Sequence, residues 1–250
     1  MEVREGSIVL LPRNDPHTLA SQPGLKAVDS EGLIQMDPEG GLPRIQYGGG
    51  GEKTRIVCGF VGSESDCNPL IDALPSTLVL DLCGKAAGEW ISSSFRYAAR
   101  ELAAARAGSA TVLAKLSELM FVEAVRYYLE ALPVDERGWL AGLRDPAVGR
   151  ALALLHTELA RLWTAEELAH QVYLSRSAFA DRFTALIGAP PITYLTRWRM
   201  QVAAQRLRES RRSVAQISAD VGYESEIAFA RAFKRQFSMS PAQWRKEWKA

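Results

Sequence analysis

Read by the spacing of its apolar positions, the chain changes period part-way along. Ser7–Arg13 (SIVLLPR) and Thr54–Val61 (TRIVCGFV) are short runs rich in Val, Ile and Leu and bounded by turn residues. They predict strands, and a third is expected near Ser76–Leu82. Between them QPGLK, DPEGG and YGGGGEK are loop chemistry, so the opening stretch reads as β-rich. From Glu89 the period becomes helical: Phe95, Ala98, Ala99 and Leu102, then Leu113, Leu116, Met120, Ala124 and Tyr127. Gly108-Ser109 separates the two helices, with Ser109 as the expected N-cap. Their apolar faces could pack on the strands, on each other, or form a dimer seam. Leu132–Gly138 then closes the second helix and begins a linker through Trp139 toward a helix starting near Pro146.

The second half repeats one pattern twice: a short helix, a tight turn, and a second helix. A lead-in helix over 147–162 places Val148, Leu152, Leu155, Leu159 and Leu162 on one face. Thr164 caps the next helix with Glu167 as its capping-box partner, and Ser175 caps the one after it. Phe179, Phe183 and Leu186 turn inward there, while Arg176, Ser177, Ala180 and Asp181 face out. Gly188 ends that helix and Pro190-Pro191 forces a turn. A helix over 193–208 follows, about 24 Å long at 1.5 Å per residue. Val214, Ile217 and Val221 mark the second scaffold helix, Gly222-Tyr223 its turn, and Ser225 the cap of the last long helix. Phe229, Phe233 and Phe237 form its inward stripe, a core rather than a stacking platform. Glu226, Ile227, Ala230, Arg231 and Lys234 lie outward. A rod of this length can hold two reading helices in successive major grooves, about 34 Å apart.

Charge sharpens this picture. The net charge of +1 conceals a split: residues 149–250 carry 16 Lys and Arg against 9 Asp and Glu, and residues 1–148 carry 14 against 20. A +7 half beside a −6 half fits a nucleic-acid-binding domain joined to one with another task. No run of about 18 apolar residues predicts a membrane span. The N-terminus lacks a basic region followed by an apolar stretch, so a cytoplasmic protein is expected. Three cysteines without CxxC spacing argue against a disulfide framework and a structural zinc site. Buried free thiols are the expectation for Cys58, Cys67 and Cys83, and a redox-sensing thiol at Cys58 or Cys83 is the sharper alternative. Gly48–Gly51 is no phosphate loop, because Glu52 separates glycine from Lys53 and a strand rather than a helix is expected next. No cofactor is expected.

The run Gly222-Tyr-Glu-Ser225-Glu-Ile-Ala-Phe229-Ala-Arg231-Ala-Phe233-Lys234-Arg-Gln-Phe237, followed by Ser240-Pro241 and Trp244-Arg245, closely resembles the signature of the AraC/XylS family. Leu168-Ala169, Ser175, Phe179, Arg182-Phe183, Gly188, Tyr194, Arg197, Met200, Ala203 and Leu207 agree with that family's first unit and linker helix. One departure is Ser238, which stands where the family has a helix-ending glycine; a left-handed serine there costs about 1 kcal/mol. The resemblance implies a sequence-specific transcription regulator of double-stranded promoter DNA, with RNA polymerase, a homodimeric partner copy and a small-molecule or redox effector as further partners. It also implies base-facing roles for Arg176, Ser177, Ala180 and Asp181, and for Glu226, Ile227, Ala230 and Arg231. Asp181 and Glu226 either accept from cytosine N4 or repel phosphate and set register. Arg197, Arg199, Lys234 and Arg235 are candidates for phosphate contact, a role Arg231 shares in part.

Gly6, Pro12 and His17 are similar in spacing to the second signature of the cupin barrel, with Asn14 in place of glycine, a residue that tolerates positive φ. That resemblance aims His17 into a barrel mouth, lined for an effector, or as a metal ligand in metal-binding cupins. The barrel is short of its opening strands, so either the natural start lies upstream of Met1 or the fold is reduced. The expected architecture is α+β. A β-rich, cupin-like and incomplete sensor spans 1–88, a helical connector and dimerisation segment spans 89–138, and a seven-helix domain with two helix-turn-helix units spans 139–250. The competing class is a metal-dependent cupin enzyme fused to a DNA-binding module, which needs further ligands around His17.

Overall fold

The computed structural model describes residues 1–36, 43–56, 58–60, 68–82, 84–104, 106–133 and 136–247. The chain divides into two compact units, Met1–Gly62 with Pro75–Ala131, and Ser63–Leu74 with Leu132–Ala250.

In the first unit β1 (Ser7–Leu10) pairs antiparallel with β4 (Leu78–Asp81), in the register Ser7 to Asp81 and Leu10 to Leu78. The period-2 burial of β4 follows from this pairing: Leu78 and Leu80 are buried while Asp81 is exposed. A second antiparallel pair, β2 (Ile34–Gln35) with β3 (Arg44–Ile45), was not expected; at two residues per strand it carries no readable alternation. Thr54–Val61 forms no strand among the described residues. Residues 54–56 and 58–60 are exposed and pair with no neighbour, and β-branched composition alone makes no ladder. Asn14 adopts φ 51°, as its place after the strand requires.

Helices α2 (Ala86–Ala104) and α3 (Ser109–Ala131) pack against one another. The buried positions are Ile91, Ser94 and Glu101 on α2 and Met120, Ala124 and Val125 on α3, while Leu102 is exposed. Ser109 is the first residue of α3 rather than its cap; its hydroxyl donates to the Glu101 carboxylate, which also binds Arg106. The Tyr127 hydroxyl accepts from Lys85 and donates to the Asp81 carbonyl, tying α3 to β4.

The second unit holds α1 (Pro69–Ala73) and eight further helices among the described residues, one more than expected: α4 (Trp139–Arg144), α5 (Pro146–Thr157), α6 (Ala165–Gln171), α7 (Arg176–Ile187), α8 (Pro191–Glu209), α9 (Val214–Asp220), α10 (Glu226–Phe237) and α11 (Pro241–Glu247). The unexpected helix is α4, read from sequence as linker. It contains Gly142, a poor helix former, and a Cβ there would meet the tip of the Ile187 side chain at 2.5 Å, so α4 and α7 approach closely at this glycine. Helix α5 stops at Thr157, which leaves Leu162 64% exposed rather than on the apolar face. Pro191 opens α8 instead of breaking the chain, because proline is pre-organised for the first helical position.

Two cores result. Val148, Leu152, Leu155, Leu168, Phe179, Phe183 and Leu195 form one, and Met200, Ala203, Leu207, Ile217, Val221, Phe229 and Phe233 the other, with Leu159 packed against both. The aromatic stripes are interior: Phe179 meets Phe183 edge-on at 5.6 Å, and Phe229, Phe233 and Phe237 follow one another at 5.7 and 4.7 Å.

Candidate nucleic-acid interface

Each reading helix is started by its own sequence. Thr164 and Glu167 make the full capping box ahead of α6, and Ser213 with Gln216 makes it ahead of α9. Ser175 accepts from the Ala178 amide and Ser225 from the Ala228 amide, starting α7 and α10. Gly188 at φ 77° and Ser238 at φ 62° end them in left-handed caps. The rod α8 has 19 residues, or about 28 Å.

With the phenylalanines inside, the opposite faces are left to solvent. Arg176, Ser177 and Asp181 are exposed on α7, and Ala180 is half-buried. On α10, Glu226, Arg231, Lys234 and Arg235 are exposed, Ala230 is half-buried, and Ile227 stands 68% exposed. Arg197 on α8 is exposed too. Arg176, Arg197, Arg231, Lys234 and Arg235 pair with no carboxylate among the described residues, whereas four other arginines of this unit are engaged. Arg182 binds Asp145 at 2.6 Å, Arg206 and Arg212 share Asp220, and Arg161 binds Glu158. Arg176 also opens α7 at the positive end of its dipole, a placement that disfavours the free helix. Arg137, Arg150, Arg211 and Lys246 are also exposed without a carboxylate partner among the described residues; the run Arg208, Arg211, Arg212 before α9 carried the signal of Arg211 in the sequence.

Arg199 requires a correction. It is 9% exposed and no phosphate can reach it. Its Nε donates to the Leu159 carbonyl at 2.9 Å, Nη2 to Arg161 at 2.7 Å, and Nη1 reaches the Gly222 carbonyl at 3.5 Å. Burial pushes its pKa below the ordinary arginine value.

His17 is also corrected. It is exposed on the chain after β1, and its Nδ1 donates to the Asp15 carbonyl at 3.1 Å rather than aiming into a cavity. Among the described residues no three His, Cys, Asp or Glu side chains come together as a metal site. Cys58 is exposed rather than buried, since the strand expected to contain it does not form among the described residues. Cys67 and Cys83 lie outside the described residues.

Between α5 and α8 sits a histidine that periodicity did not mark. His156 stacks on Trp198 at 4.6 Å, and its Nε2 lies 2.7 Å from the Tyr194 hydroxyl, which also accepts from Trp139 Nε1 at 2.9 Å. Burial lowers its pKa to about 4. His156 is therefore neutral in the fold and takes a proton more readily once unfolded. Its contribution is fully present above about pH 6.5 and is lost as pH falls toward 4. After discounting for partial exposure, unfolding at pH 5 should be easier than at pH 7 by about 1 kcal/mol from this group. His156→Gln should flatten that part of the denaturation profile; an identical slope in the variant refutes the assignment.

Two capped helix-turn-helix units on one rod, each turning outward a polar face with at least one arginine unpaired among the described residues, define a DNA-binding domain. The sequence profile described as "Helix-turn-helix domain" matches residues 168–247, and that described as "Cupin" matches residues 1–130. Over 248 residues the chain is 37% identical to a Streptomyces lividans protein described as an AraC-like transcription regulator, covering 98% of this chain and 80% of that one. It is 32% identical to the HTH-type transcriptional regulator AlkR of Acinetobacter baylyi, covering 97% and 80%. The crystallised DNA-binding domain of the transcriptional factor AdpA, in complex with a target DNA, is similar at 31% identity over 42% of this chain and 94% of that one, with a TM-score of 0.41. The chain belongs to the AraC-like transcription regulators, with a cupin N-terminal domain and a helical DNA-binding C-terminal domain. No helix among the described residues is long and apolar enough to cross a membrane.

Proposed function

We propose that this regulator reads one bipartite promoter site, setting α7 and α10 in successive major grooves. The observation that carries this is the set of exposed basic side chains on and beside those helices, left without carboxylate partners among the described residues while Arg182, Arg206 and Arg212 are paired. Arg176, Ser177, Ala180 and Asp181 face bases from the first unit, and Glu226, Ile227, Ala230 and Arg231 from the second. Arg197, Lys234 and Arg235 hold phosphates, which fixes register without reading sequence. The two readers are unequal: Arg176 is the one strong hydrogen-bond donor on a small, partly acidic α7 face, so discrimination rests more heavily on α10.

The remaining division of labour is residues 1–88 as sensor, 89–138 as helical connector and dimerisation segment, and 139–250 as DNA-binding domain. The protein works in the cytoplasm, as a homodimer, in contact with RNA polymerase, and regulates rather than catalyses; the relatives that span nearly its whole length are transcription regulators. Its signal is a small molecule or an oxidant. Cys58 is the exposed thiol among the described residues that an oxidant could reach.

Salt dependence tests the phosphate assignment. Lys234→Ala should weaken binding to every duplex alike and reduce the slope of log affinity against log salt by about one. A slope equal to the wild type's removes Lys234 from the phosphate set.

A further inference from the structure

Arg199 poses a question that stability alone does not answer. A guanidinium is buried in the middle of α8, and the groups that receive it are neutral carbonyls; among the described residues no carboxylate compensates it. Burying a charge in this way is expensive, and an apolar residue would fill the same space at lower cost.

The identity of the carbonyls supplies the answer. Leu159 and Arg161 belong to the turn that leads into the first helix-turn-helix unit, and Gly222 is the turn of the second. Arg199 also stands 5.9 Å over the ring of Tyr223, the next residue of that second turn. One planar fork thus holds three backbone oxygens from both units, an arrangement that the single charged point of lysine cannot reproduce. The packing around it leaves little play. A Cβ on Gly222 would lie 2.5 Å from the Ala160 carbonyl oxygen and 2.7 Å from Arg199 Nη2. Leu159, whose carbonyl Arg199 binds, is also the apolar residue shared by both cores.

We propose that Arg199 is a positioning residue: it touches no DNA, and it locks the second unit against the first so that α7 and α10 keep one fixed spacing and inclination. This rests on the two-groove reading above. Without the lock, α8 would still join the units, but α10 could rock about the rod, and the protein would bind each sub-site while losing its demand for their separation.

The test uses the full chain and duplexes carrying a selected bipartite site, the same site with one or two base pairs inserted between its halves, and sites with either half scrambled. The wild type should lose about tenfold or more in affinity on a one-base-pair insertion. Arg199→Met should bind the intact site about tenfold more weakly, keep wild-type affinity for each isolated half, and reduce the insertion penalty to about twofold. Arg199→Lys should fall between the two, and it serves as the deciding variant if Arg199→Met fails to fold by circular dichroism. A variant that weakens intact and half sites equally, with the insertion penalty unchanged, shows a merely structural arginine and overturns the proposal. A wild type indifferent to spacing overturns the two-groove reading itself.

Discussion

Gly222→Ala is expected to destabilise the C-terminal domain by about 2–4 kcal/mol, a large effect for adding a single methyl group. Two causes add. The backbone sits at φ 81°, where an L side chain costs about 1 kcal/mol, and the new Cβ would press on the Ala160 carbonyl oxygen and the Arg199 guanidinium. The first helix-turn-helix unit separates the two. Its turn has the same left-handed position, occupied by Tyr173 at φ 58°, and that side chain points out, 84% exposed, with Arg150 near its ring at 5.7 Å. Left-handed geometry is therefore tolerable in this turn; close approach is what the second turn adds. Denaturant titration measures the difference, and a midpoint shift worth less than about 0.5 kcal/mol would show that the second turn has room the structure denies it.

Arg231→Ala should weaken specific binding by about 1–3 kcal/mol and relax the preference at one base position, leaving affinity for unrelated DNA nearly intact. The side chain sits on the exposed face of α10 with no carboxylate partner among the described residues, so truncation breaks nothing inside the protein. The bidentate contact of arginine with guanine is the commonest specific one, and a recognition helix presents the fork at suitable height. The parallel change Arg176→Ala in the first unit removes that face's one strong donor. Equal loss on specific and random duplexes would reassign Arg231 to the phosphate set, and no loss on either would remove it from the interface.

What the sequence made legible is what depends on neighbours close along the chain. The capping boxes at Thr164 and Ser213, the caps at Ser175 and Ser225, and the left-handed Ser238 all follow from residues two to four positions apart. The phenylalanine stripes follow from helical period. Arg199 was misread because its partners lie 40, 38 and 23 residues away and are backbone oxygens, which carry no residue signature. Leu162 lies off the apolar face because α5 ends at Thr157, and the carbonyls of Leu159 and Arg161 in the turn beyond it accept from Arg199. Helix α4 is short and holds Gly142, which lowers its local propensity, and its packing beside Ile187 is brought about only by the fold. In the first compact unit, β1 finds its partner some seventy residues on, so composition located both strands but could not pair them, and it invited a strand at 54–61 that finds no partner among the described residues.

A hydroxyl-radical footprint on a selected high-affinity site tests the central claim most directly. Two protected clusters on one face of the duplex, about one helical turn or 10 base pairs apart, are the predicted result, with Arg231→Ala weakening protection mainly in one cluster and Arg176→Ala mainly in the other. A single protected cluster, equally affected by both substitutions, would contradict the reading of α7 and α10 as two separate readers on one rod.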